Sequence, residues 1–106
     1  MAENAIYAES EGKLIPIKHT DICVCEAARH KSIVHTSLRK SYLYPRTLKY
    51  LEEMLCGKTF KRIHDKYIIN IDYVEEVLRY KTREYRMRNG MLIRASKRMN
   101  FIFKPK

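Results

Sequence analysis

No apolar run in this chain approaches the ~20 residues that a membrane-spanning helix needs, and its start, MAENAIYAES, lacks a secretory hydrophobic segment. The expectation is a soluble, unexported, cytoplasmic protein. Cysteine is scarce: Cys23, Cys25 and Cys56 are three, and an odd number cannot all pair within one chain. Free, largely buried thiols in a reducing compartment are the simpler account. A glycine-rich phosphate loop and a nucleophile motif are both missing, so neither an enzyme nor a cofactor is expected. Acidic residues are nearly absent from one region. Residues 78–106 carry ten Lys and Arg against Glu84 alone.

That last deficit organises what is present. The whole chain has 22 Lys and Arg and 12 Asp and Glu, a net charge of +10 over 106 residues. Residues 1–77 contribute twelve basic and eleven acidic groups, a net of +1, which leaves +9 for the C-terminal third. A solvated basic face is the bland reading. A near-neutral body with a concentrated basic end is better explained as an electrostatic footprint for a polyanion. The length fits one domain, and 45% apolar residues suffice for a single modest core.

Three glycines and three prolines punctuate the chain. Residues 1–12 are small, polar and mixed in charge, and read as a flexible tail ahead of a domain spanning 13–106. Lys13 to Ile17 is a strand candidate that Pro16 marks as an edge. Asp21 to Ala27 and Lys31 to Thr36 read as strands joined through Ala28-Arg29-His30. Leu38 to Tyr44 continues the β character. The period then changes: Leu48, Leu51 and Leu55 fall on one helical stripe, with Thr47 as N-cap and Gly57 beyond the end. One short helix near 47–56 is therefore predicted. Residues Phe60 to Tyr73, FKRIHDKYIINIDY, set a polar cluster before the apolar run Tyr67-Ile68-Ile69, which closes on Asn70. Val74 to Tyr80 reads as strand. Asn89-Gly90 between Glu84–Arg88 and Met91–Ala95 is a strong hairpin signal, with Arg86 and Arg88 on one face. Ser96 is placed to cap a final helical turn through Phe103. Many short strands and no βαβ pattern give a mainly β fold.

With these motifs in place, the chain resembles the LytTR-type DNA-binding domain of bacterial response regulators and transcriptional regulators. The matching pieces run in the family's order over about 90 residues. They are the strand DICVCEA, the basic loop Arg29-His30-Lys31, the helix TLKYLEEML, the segment FKRIHDKYIIN, and a hairpin leading to Ala95-Ser96-Lys97-Arg98. The resemblance implies an elongated arrangement of small antiparallel sheets. It also implies sequence-specific binding of double-stranded DNA in transcriptional regulation, with loops entering successive major grooves. The partner would be duplex DNA, with repeated sites and copies paired on it although monomeric in solution. The implied contact residues are His30, Lys31, Asp65, Lys66, Ser96, Lys97 and Arg98. His30 and Arg98 match family base contacts. Asp65 stands where arginine or asparagine is usual, and Lys66 where serine is usual.

Chemistry gives each residue a role and a rival. The Arg98 guanidinium can bridge guanine O6 and N7, or contact phosphate instead. His30 can donate to a base or a phosphate, or sit unpartnered. His64 is better placed to hydrogen-bond backbone and fix its loop, and Arg62 divides between ion pairing and phosphate. Lys31, Lys66 and Lys97 suit phosphates. A carboxylate at Asp65 can accept only from cytosine N4 or adenine N6, or else it orients Lys66 or Arg62. Cys23-x-Cys25 would put two thiols on one strand face, but no second pair at zinc spacing supports a metal. The eight tyrosines could stack single-stranded bases, so a single-stranded DNA or RNA-binding β-domain is the alternative, with core packing their default role.

Overall fold

The computed structural model describes residues 4–55, 57, 59–79 and 83–96. Its strands are β1 (Ala5–Ser10), β2 (Lys13–Lys18), β3 (Ile22–Ala28), β4 (Lys31–Thr36), β5 (Ser41–Tyr44), β6 (Phe60–His64), β7 (Tyr67–Asn70), β8 (Val74–Arg79), β9 (Arg83–Met87) and β10 (Leu92–Arg94). The helix α1 (Leu48–Leu55) lies between β5 and β6. Pairing is antiparallel throughout. Seven strands form one sheet in the order β2-β1-β5-β4-β3-β7-β6, and β10-β9-β8 form a second. The molecule is elongated, 42 × 26 × 22 Å. A mainly β fold with one short helix is what the sequence predicted.

The N-terminal stretch differs from expectation. Residues 5–10, read as part of a flexible tail, pair with all of β2 from Ala5↔Lys18 to Ser10↔Lys13, and Ile6 and Ala8 are buried. Their hairpin turns at Glu11-Gly12, both with positive φ (49° and 76°), the backbone of a type I′ turn. Strand β2 is the sheet edge, where Pro16 deprives no neighbour of a donor.

Two cores share the larger sheet. On one face α1 lays down Leu48, Leu51 and Leu55 against Ile6, Ile17, Ile22, Cys25, Val34, Phe60 and Ile68. Thr47 caps the helix: its Oγ1 accepts from the Tyr50 N–H at 3.3 Å. On the other face Cys23, Val24, Ile63 and Ile69 meet Tyr85, Met87, Ile93 and Ala95 of the smaller sheet and its exit. Each fully buried side chain of this kind contributes roughly 1.5–3 kcal/mol of transfer free energy.

Strand β3 serves both cores through a register shift between Ile22 and Val24. A regular strand would put Cys23 and Cys25 on one face, as the sequence suggested. The bulge instead sends Cys25 to the helix core with Ile22, and Cys23 to the second core with Val24. The two thiols therefore do not form a chelating pair, and both are fully buried and in no disulfide among the described residues.

The Asn89-Gly90 hairpin is present with a three-residue turn. Met87 N–H donates to Met91 C=O at 2.9 Å, and Gly90 takes φ 93°. Asn89 is buried rather than exposed at the tip. Its Oδ1 accepts from Met91 N–H at 3.1 Å and its Nδ2 donates to Thr36 C=O, which staples the second sheet to β4. Among the described residues no helix is long and apolar enough to cross a membrane. The helical turn expected after Ser96 lies outside the described residues.

Candidate nucleic-acid interface

Strands β3 and β4 are joined by Arg29 and His30, with Ala28 opposite Lys31. Arg29 has φ 59°, a left-handed conformation that costs a non-glycine residue of order 1–2 kcal/mol. Glu11 and Arg39 share this feature, so strain alone does not mark the site. The tight turn leaves Arg29, His30 and Lys31 all exposed.

The β6–β7 hairpin turns at Asp65-Lys66 and is pinned from below. Arg62 Nη1 pairs with Glu52 Oε1 of α1 at 2.6 Å. Its Nε and Nη2 donate to the main-chain oxygens of His64 and Asp65 at 3.1 and 2.6 Å. His64 Nδ1 accepts from the Lys66 N–H at 3.1 Å, which puts a neutral ring's proton on Nε2, and the ring lies 5.6 Å from that of Tyr67. Both residues therefore brace the turn. The Arg62 contact to Asp65 is to the backbone carbonyl. Asp65 and Lys66 are left exposed at the tip.

Two main-chain hydrogen bonds bring the predicted segments to one end of the molecule. Ala27 N–H donates to Lys66 C=O at 2.8 Å, so the two turns emerge side by side. Ser96 N–H donates to Ile63 C=O at 2.8 Å, and Ala95 N–H to Arg83 C=O at 2.9 Å, so the chain leaving β10 runs beside the β6 end. His30, Lys31, Asp65, Lys66 and half-buried Ser96 thus share one end. Lys97 and Arg98 follow in sequence and lie outside the described residues.

Sequence reasoning missed two features here. Arg94, exposed on the last strand, adds a cation whose nearest carboxylate, Glu84, is 3.7 Å away. The clamp from Glu52 through Arg62 was illegible because its partners are ten positions apart on different elements. The basic face assigned to the hairpin is also less basic than it reads. Arg86 pairs with Glu76 at 2.8 Å, and Arg88 with Glu75 at 3.8 Å, both glutamates coming from β8. Such exposed pairs add little stability, but they offset charge locally. Among the described residues no three His, Cys, Asp or Glu side chains gather as a metal site.

An antiparallel β scaffold with two exposed turns and a chain exit at one end is a binding module of the loop-presenting kind. The sequence model of the LytTr DNA-binding domain matches residues 12–104, and the chain belongs to that family. Its role is therefore DNA binding in transcription regulation, and the family is not an enzymatic one. In structure it is similar to the LytTr DNA-binding domain of a Bacillus cereus protein described as a methyl-accepting/DNA response regulator. The TM-score is 0.81 at 19% identity, over 91% of this chain and 89% of that one. At that identity the likeness speaks for the fold. No curated protein matches the chain.

Proposed function

We propose that this domain binds double-stranded DNA sequence-specifically, placing the β3–β4 turn, the β6–β7 turn and the segment after β10 against successive major-groove faces. The observation that carries this reading is the convergence of those three segments, tied by the Ala27–Lys66 and Ser96–Ile63 hydrogen bonds. In this reading His30 and Arg98 touch bases, Asp65 accepts from a cytosine or adenine amino group, and Lys31, Lys66, Ser96 and Lys97 hold phosphates. Binding to repeated sites, two copies to a target, follows the same reading.

The single-stranded alternative lacks comparable support. Tyr44 and Tyr85 are buried, Tyr42 packs against the helix core, and the most exposed described tyrosines, Tyr7 and Tyr50, sit on β1 and α1. The test is a substitution series on a selected duplex, read by fluorescence anisotropy at several salt concentrations. Lys66→Ala should weaken all sequences alike and reduce the log K against log salt slope by about 0.9. Arg98→Ala should relax one base position, with about 1–3 kcal/mol of discrimination lost there. Equal losses across sequences for Arg98→Ala and His30→Ala would remove base reading from both.

A further inference from the structure

The opposite end of β3 carries a second feature. Asn70 Nδ2 donates to the Ile22 carbonyl at 2.9 Å. Beside this junction opens a cavity of about 500 Å³ lined by His19, Leu55, Phe60, Asp72, Tyr73 and Arg88, among others. Six residue steps of β3, roughly 20 Å, separate it from the DNA-facing turns. The volume lies in the range of small-molecule sites.

Its walls divide by chemistry. Leu55 and Phe60 give an apolar floor continuous with the helix core. The Tyr73 hydroxyl donates to the Thr20 carbonyl, which fixes that ring at the wall. Arg88 lies over the fixed ring, its Cζ 5.1 Å from the centroid. Glu75 engages its Nε only at 3.8 Å, and the planar fork of a guanidinium suits a carboxylate. The second, independent observation is His19. Its Nε2 is sealed from solvent and has no hydrogen-bond partner among the described residues, a condition rare enough in folded proteins to need a cause. Burial also lowers the pKa of this ring, which favours the neutral form able to accept or donate a single hydrogen bond.

We propose that this cavity is a binding site for a small carboxylate with an apolar, ring-sized body. The carboxylate sits on Arg88, and the body on Leu55 and Phe60 beside the His19 ring. Asp72, at the same rim, disfavours ligands carrying a second negative charge. The site is separate from the DNA-facing end, and the proposal stands or falls independently of how DNA is read.

The experiment is an amide-resolved NMR titration of the whole chain with three probes: phenylacetate, its uncharged isostere phenylacetamide, and phenethylamine. Saturable shifts confined to the His19–Thr20, Leu55–Phe60 and Asp72–Tyr73 backbone are expected with phenylacetate. The amide should bind about tenfold more weakly, the scale of one charge-assisted contact. Arg88→Gln should erase that preference while leaving the spectrum elsewhere unchanged. Three results would overturn the proposal: no saturation up to about 10 mM, equal affinities for the three probes, or shifts centred on the basic turns.

Discussion

Arg62 shows what one side chain can do when all three guanidinium nitrogens are used. It holds the β6–β7 turn by two carbonyls and ties it to α1 through Glu52. Arg62→Ala should cost about 1–2 kcal/mol in urea unfolding and lower DNA affinity further than stability alone explains. Glu52→Gln keeps both carbonyl contacts and should leave most DNA affinity intact. If both variants lose DNA binding equally, the turn is not what Arg62 positions. His19 makes a pH prediction. Burial lowers its folded pKa below the usual 6.5, so the unfolded state binds more protons below that value. Its stabilising effect is complete above pH ~6.5 and is lost as pH falls toward the lowered folded value. His19→Phe should therefore flatten the decline in unfolding free energy between about pH 7 and 5 relative to the parent chain. Burial likewise raises the Cys23 thiol pKa, against weaker opposing hydrogen bonds from Asn89 and Arg88. Maleimide labelling mapped by mass spectrometry should find Cys23 and Cys25 unmodified until the chain unfolds. Bracing by His64 was legible because a histidine ahead of a buried strand has few other uses. The Glu52 partnership was not, since nothing local links a helix residue to a strand ten positions later.

At the scale of elements, local signals succeeded where they were strong and period-pure. The Leu48-Leu51-Leu55 stripe and the Asn89-Gly90 turn both stand where the sequence put them. β1 was missed for a physical reason. Its turn uses Glu11 at φ 49° where asparagine or aspartate is the usual signal, and two of the six residues of its strand are alanines. Glu11→Asn should accordingly stabilise the chain by about 0.5–1 kcal/mol in chemical denaturation, because asparagine tolerates the left-handed region better. Ile6→Ala should cost about 2–5 kcal/mol, since this side chain is 1% exposed in the helix core. A loss below ~0.5 kcal/mol would return residues 5–10 to the status of a tail. The bulge in β3 was also invisible. Four consecutive apolar residues, Ile22 to Val24 and Cys25, give no alternation from which a register shift can be read, and only a second sheet on the other face explains why all four are buried.

For the whole molecule, charge and shape act together. The +9 of residues 78–106 is carried partly by Arg86 and Arg88, which β8 glutamates offset. Among the described residues of that third, exposed Arg94 stands on the strand that leads to the chain exit beside the two exposed turns. Sequence order alone set the succession of the three proposed contact segments but could not place them in space. That arrangement depends on long-range hydrogen bonds such as Ser96 to Ile63. Family, fold and the general role in DNA binding were thus readable in the sequence, whereas the Glu52–Arg62 pair beneath the β6–β7 turn was not.

The most direct test of the account is selection of bound sites from random duplexes, followed by affinity for the enriched site against a scrambled duplex and the corresponding single strand. The account predicts a defined, repeated motif bound at least ~10³-fold more tightly than the scrambled duplex at physiological salt, with the single strand weaker still. Recovery of no motif, or preference for the single strand, would contradict it.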